Sequence, residues 1–136
     1  MFAKPDNVTM KAALPVLVSL AWLSCPSWAA QTVNCEAEYG GKAHRIVVLP
    51  VDDVFAFQTV DVGQRFRFSA QWLVSRAKLK TFVHELDERA PVLLHAAEYP
   101  MSAGACTSKV IDFGLNKVYS SELERELFFQ CTAACE

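Results

Sequence analysis

The chain is poor in the residues from which active sites are usually assembled. It has three histidines and five glycines in 136 residues, and they form neither a strong metal-ligand set nor a glycine-rich nucleotide loop. Gly40-Gly41-Lys42 lacks the remaining residues of a phosphate loop. Asp112-Phe113-Gly114 spells a kinase metal-binding tripeptide, but no glycine-rich nucleotide loop accompanies it and the chain is too short for that fold. No ordering of Ser, His and Asp supports a nucleophilic triad. Asp52-Asp53 could begin a cation loop, yet Val54-Phe55-Ala56-Phe57 follows with no side-chain oxygen, so the pair reads as turn residues.

A basic excess is also missing. Thirteen Lys and Arg face fifteen Asp and Glu, for a formal charge of −2. This argues against nucleic acid as a partner and leaves nothing to attract the chain to an anionic membrane surface. Long apolar runs are lacking too. The longest, Ala12 to Leu23, is short for a transmembrane span.

That run does fit a different purpose. Lys11 precedes it, and Pro26 and Ser27-Trp28-Ala29 follow with a small-x-small cleavage pattern. A basic start, a short apolar segment and such a site predict a secretory signal over residues 1–29, leaving 30–136 as one exported domain, periplasmic or secreted. Met10-Lys11 would make a more usual start than Met1. A lipidated Cys25 is disfavoured because Trp22 stands where a branched aliphatic is needed. Without Lys4, Lys11 and Asp6, the exported chain keeps 11 basic and 14 acidic residues.

Four cysteines remain after cleavage: Cys35, Cys106, Cys131 and Cys135. An even count in a short exported chain predicts a disulfide framework with three possible pairings. Cys131 and Cys135 have a spacing seen at zinc sites, but no second pair stands at comparable spacing. We expect Cys131 in a terminal strand to join Cys35 in the first, with Cys106 joined to Cys135.

The exported chain is built from alternating runs. Thr32–Tyr39 and Arg45–Leu49 flank Gly40-Gly41, predicting a hairpin with Glu36 opposite Arg45 and Cys35 opposite Ile46. Pro50 ends the second run by removing a ladder donor. Phe55 to Trp72 forms a central hairpin about Gly63-Gln64, a pair suited to a type II′ turn. This register sets Val62 against Arg65, Thr59 against Phe68 and Phe57 against Ala70. Phe55, Phe57, Phe66, Phe68 and Trp72 then share a face made for a core. Gln58, Arg65, Arg67, Ser69 and Gln71 share the other.

A third hairpin joins Lys78–Leu86 to Pro91–Glu98 through a polar loop, with Val83 facing Leu94, Phe82 facing His95 and His84 facing Leu93. His84 and His95 would then share a face, diagonally offset, while Glu85 and Glu98 point away. A metal would need a third ligand that the sequence does not name, so both histidines are read as structural. Val110-Ile111 forms one brief strand before Gly114. Ser121 to Glu124 fits a capping box, predicting a helical turn over 121–126, and Leu127–Thr132 then runs extended.

Three hairpins and a docked tail predict a mainly β fold, an antiparallel sandwich or a small barrel. The matching function is an exported, non-catalytic binding protein of the cell envelope that needs no cofactor. It would engage a protein or envelope component through Gln58, Arg65, Arg67 and Gln71, arginine being suited to bidentate recognition. The alternatives are a carrier of a small apolar ligand within a barrel, and a small metal-dependent hydrolase using His84, His95 and a nearby Glu85 or Glu98. The export reading predicts that amino-terminal sequencing of secreted material begins at Ala30; a start at Met1 or Met10 would overturn it.

Overall fold

The computed structural model describes residues 31–101, 109–120 and 125–135. They are nearly all strand, arranged as two stacked sheets that do not close into a barrel, consistent with a β-sandwich. The strands are β1 (Gln31–Tyr39), β2 (Lys42–Val48), β3 (Pro50–Val51), β4 (Gln58–Val62), β5 (Phe66–Leu73), β6 (Lys78–Glu85), β7 (Val92–Pro100), β8 (Ile111–Tyr119) and β9 (Glu126–Cys135). The first sheet has the order β2-β1-β9-β8. The second has β5-β6-β7, with β3 and β4 following one another along the outer edge of β5.

The inner faces are set by alternation. Val33, Cys35 and Ala37 of β1 and Leu127, Phe129, Cys131 and Ala133 of β9 are buried. They pack against Phe66, Phe68, Ala70 and Trp72 of β5 and Leu79 and Val83 of β6. Phe68 and Phe129 meet across the interface at 5.1 Å. Aromatic contacts also fasten both flanks: Tyr39 lies edge-on to Phe66 at 5.1 Å, and Tyr99 tilts against Phe113 at 5.2 Å.

The first hairpin adopts the expected register, with Glu36 against Arg45 and Cys35 against Ile46. Arg45 and Glu36 form an ion pair on the outer face. β9 lies on the far side of β1 and sets Cys131 directly opposite Cys35, and the two are joined by a disulfide. Cys135 is disulfide-bonded as well; Cys106, its expected partner, lies outside the described residues, as does residues 1–30 with the expected signal. Most of the expected helical turn over 121–126 is also outside them, and Glu126 already belongs to β9.

Three expectations are corrected. The central hairpin is shifted by one residue: Val62 pairs with Phe66, Val60 with Phe68 and Thr59 with Ser69. Gly63 and Gln64 both take positive φ, +62° and +57°, as in a type I′ rather than a type II′ turn. Arg65 donates its N–H to the Val62 carbonyl and is left over as an extra residue, its own carbonyl accepting the Leu86 N–H. In the expected register Asp61 would have been carried to the inner face opposite Phe66. The adopted one buries Val62 and places Asp61 outside, because stranding a carboxylate between the sheets is far costlier than an extra loop residue.

In the third hairpin, a bulge between Val83 and His84 divides the pairing: His84 faces Leu93 as expected, but Val83 faces His95. The two histidines therefore lie on opposite faces of the sheet. Finally, β8 runs for nine residues instead of stopping at Gly114, which sits in a bulge with φ +90° and is absorbed into the strand.

The disulfide closes a loop with a sequence separation of 96. Replacing Cys35 and Cys131 together by Ala should lower unfolding free energy in urea by about 2–5 kcal/mol. An unchanged midpoint would show that β1 and β9 hold without it.

Candidate functional site

The four residues expected to form a binding face are not brought together. Gln58 points towards the interior, opposite the buried Ala70, and is half-buried; its Oε1 has no hydrogen-bond partner among the described residues. Arg65 is exposed in the turn. Arg67 does face outwards, but its guanidinium is held by Asp61 in a bidentate pair at 2.7 and 3.0 Å. Gln71 is 1% exposed, and its Nε2 donates to the carbonyls of Asp53 and Ala56 at 3.2 and 3.0 Å. It is a clasp for the segment that crosses above it.

That crossing segment builds the site. Residues 52–57 pass over the outer face of β5. The Phe55 N–H donates to Asp53 Oδ1 at 2.9 Å, and the Ala56 N–H to the Asp53 carbonyl at 3.2 Å. With its underside tied to Gln71, the segment is a pinned turn whose side chains point away from the core. Phe55 stands 84% exposed at its tip, and Phe57 is 42% exposed. Both were expected in the core; the one-residue shift sends β4 and its preceding residues to the opposite face.

Phe57 leans edge-on to Phe82 of β6 at 5.6 Å. Beside them Thr59, Ser69, His84 and Leu93 complete a groove of about 350 Å³ on the outer face of the second sheet. Thr59 Oγ1 and Ser69 Oγ are hydrogen-bonded to each other at 3.0 Å. His84 Nδ1 is out of contact with solvent and has no hydrogen-bond partner among the described residues. The groove thus has two aromatic walls, an aliphatic lip in Leu93 and a small polar floor.

Around it the charges are paired. Asp61 binds Arg67, and Glu98 lies 3.0 Å from Lys78 and 3.2 Å from Lys80. The hydrogen bond from Arg67 holds the Asp61 carboxyl below its ordinary range. Hydrogen bonds from Lys78, then Lys80, do the same for Glu98. On the other sheet, a larger groove of about 440 Å³ lies among Asn34, Glu36, Arg45, Gln130 and Thr132. Three of its polar side chains are already engaged: Arg45 is paired with Glu36, and Gln130 donates to the neighbouring Asp112 at 2.7 Å. That Gln130 hydrogen bond, with one from the Gly114 N–H, lowers the Asp112 carboxyl below its usual range. Little is gained by covering such a surface, whereas covering exposed Phe55, Phe57 and Leu93 removes apolar area from water.

The histidines form no acid–base or metal pair. His95 lies on the inner face with its ring 5.6 Å from Phe129, while His84 lines the outer groove. Glu98 shares the outer face with His84, contrary to expectation, but its oxygens are committed to the two lysines. Glu85 accepts a hydrogen bond from Ser120 Oγ. Among the described residues no cluster of three His, Cys, Asp or Glu could hold a metal ion, and no helix is long and apolar enough to cross a membrane.

The chain matches no protein-family model, and no curated protein or solved structure shows significant similarity to it. The reading of the site therefore rests on its own geometry. A signal for it was present in the sequence: Val60 and Val62 alternate with Thr59 and Asp61, a pattern that buries the valines and exposes Phe57 with the hydroxyl and the carboxylate.

Because the Asp61 carboxyl titrates below its unfolded range, the Arg67 pair stabilises the fold above that range and is lost as pH falls. Both side chains are partly exposed, so the effect is at most about 1 kcal/mol. Asp61→Asn should be less stable than the parent at pH 7 by no more than that. The difference should begin to shrink as acidification passes below about pH 4 and be gone once the Asp61 carboxyl of the folded protein is protonated, followed by urea unfolding across the range. A difference independent of pH would mean that Asp61 acts through something other than its charge.

Proposed function

We propose that this is an exported, non-catalytic interaction protein of the cell envelope, and that it engages another protein through the outer face of the β4-β5-β6-β7 sheet. The observation that carries the reading is an exposed aromatic on a hydrogen-bonded turn beside an apolar groove. Phe55 is 84% exposed on a turn fastened from beneath by the buried Gln71. An exposed aromatic normally costs solvation without return, and one carried on a segment with four hydrogen bonds, within itself and to Gln71, has already given up backbone freedom that binding would otherwise remove. Exposed, pre-ordered aromatics of this kind are typical anchors of protein interfaces.

The other readings lack comparable support. A barrel carrier needs an enclosed lumen, while the two sheets remain open and their inner faces are filled by Phe66, Phe68, Phe129, Leu79 and Leu127. A metal-dependent hydrolase needs His84 and His95 on one side of the sheet, and the bulge at Val83/His84 separates them. Export is supported by the amino-terminal sequence pattern and is in keeping with the Cys35–Cys131 disulfide.

Placing a photo-crosslinking residue at Phe57 in the exported protein should capture a protein in the cell envelope, whereas the same residue at Val47, exposed on the opposite sheet, should not. Equal capture at both positions, or none at Phe57, would refute the assignment of this face. The substitution should leave stability within about 0.5 kcal/mol of the parent, as for surface positions generally.

A further inference from the structure

We propose that a second groove, at the β5–β6 turn, binds a phosphate group between the Arg76 guanidinium and the Lys78 ammonium. It encloses about 360 Å³ and is lined by Arg76, Ala77, Lys78, Glu98, Tyr99 and Pro100. None of these residues lines the aromatic groove, so the proposal stands apart from the face assignment above. Its geometry begins with the turn. β5 ends at Leu73 and β6 begins at Lys78, which leaves four residues to reverse the chain. Val74–Arg76 form a single helical turn, and Ala77 then takes a left-handed conformation with φ +47° and ψ +50°. A residue with a Cβ enters that region only at a cost, and such strain gathers at binding sites. Two hydrogen bonds hold Ala77 there. Its N–H donates to the Val74 carbonyl at 3.1 Å, and its carbonyl accepts the N–H of buried Met101 at 2.8 Å. The turn is thereby tied to the end of β7, and Arg76 and Lys78, on either side of Ala77, line one groove.

The cations here exceed the charge that balances them. Among the described residues Glu98 is the one acidic side chain lining the groove. Its two oxygens are divided between Lys78 at 3.0 Å and Lys80 at 3.2 Å. Hydrogen bonds from Lys78, then Lys80, keep its carboxyl below the ordinary range, so at neutral pH it is ionised and cancels a single charge. Arg76 is exposed and has no hydrogen-bond or ion-pair partner among the described residues. Three cations against one carboxylate leave two positive charges, in a chain where fifteen acidic residues outnumber thirteen basic ones.

A phosphate monoester fits this remainder. It carries close to two negative charges at neutral pH and three strong acceptor oxygens. A guanidinium can bind two of those oxygens at once, and an ammonium serves the third as a point charge. A single carboxylate would leave the groove cationic. Ala77 and Pro100 offer apolar surface to the organic part of the ester, while the Tyr99 hydroxyl already accepts from Asn116 Nδ2 at 3.1 Å. The same group is carried by soluble phosphate esters and by lipid headgroups.

The test has two arms, both on the purified, disulfide-intact protein, with far-UV circular dichroism to confirm that each variant folds. In the first, glycerol phosphate is titrated in and amide NMR shifts are followed, with acetate at equal ionic strength for comparison. In the second, the protein is co-sedimented with phosphatidylcholine vesicles with and without phosphatidic acid. Glycerol phosphate should shift the amides of residues 76–78 saturably, and acetate should not. Arg76→Gln should weaken binding about tenfold. Lys42→Gln, the same charge change on β2, should leave it within about twofold. Glu98→Gln should tighten binding about threefold, because removing the carboxylate raises the local positive charge. A purely structural ion pair would give no such gain. Binding of glycerol phosphate without vesicle binding supports the site with a soluble ester as its source. Co-sedimentation that needs phosphatidic acid and is lost in Arg76→Gln supports it with a lipid headgroup as its source. No binding in either arm, equal shifts with acetate, or binding indifferent to Arg76→Gln overturns the inference.

Discussion

The exclusion of one carboxylate from the space between the sheets governs the outer surface of this protein. Asp61 is the next-to-last residue of β4, and the pairing of β4 with β5 must send either Asp61 or Val62 inwards. A buried, unpaired carboxylate is penalised by several kcal/mol, whereas an extra residue in an exposed turn costs little. Val62 therefore goes in, Arg65 is left over in the loop, and Asp61 meets Arg67 on the outside. The same choice fixes residues far from Asp61. Phe57 is turned out onto Phe82, the 52–57 segment must cross the outer face to reach β4, and Gln71 is buried beneath it as the group that satisfies two of its carbonyls.

The second sheet consequently has two unlike ends. Along β3 and the crossing segment its outer face is covered, which explains how Gln71 and Leu73 can be buried on the side away from the core. Towards β7 it is open, and there the bulge at Val83/His84 adds the other half of the groove by keeping His84 and Leu93 outside while returning His95 to the interior. Bulges re-aim side chains without ending a strand. Gly114 does the same in β8, where a positive φ lets the chain continue pairing with β9.

The first sheet is simpler because its constraints agree with one another. Glycines at the β1–β2 turn, an ion pair on the outside and cysteines on the inside all specify one register, and that register was legible directly. Elsewhere local cues were compatible with more than one answer. Gly63-Gln64 can close a two-residue loop or begin a three-residue one, and the polar 87–90 loop says nothing about the bulge at Val83/His84 before it. In each case the strands were legible and the faces were not, because an error of one residue exchanges the two sides of a strand.

The sequence by itself therefore determined the strands of the three hairpins, their order, the Glu36–Arg45 pair and the even cysteine set, since these depend on alternation, turn residues and composition within a few positions of one another; it did not determine the length of β8. The Cys35–Cys131 bond expected from the sequence is formed, and tertiary structure decided which side of β4 and β7 meets the core and that Phe55 and Phe57 are displayed on the surface. These outcomes follow from burial against strands distant in the chain. The aromatic row that looks like one core face along the sequence is divided in the folded molecule: Phe66, Phe68 and Trp72 hold the two sheets together, and Phe55 and Phe57 face outwards, because keeping Asp61 in water took precedence over burying two more rings.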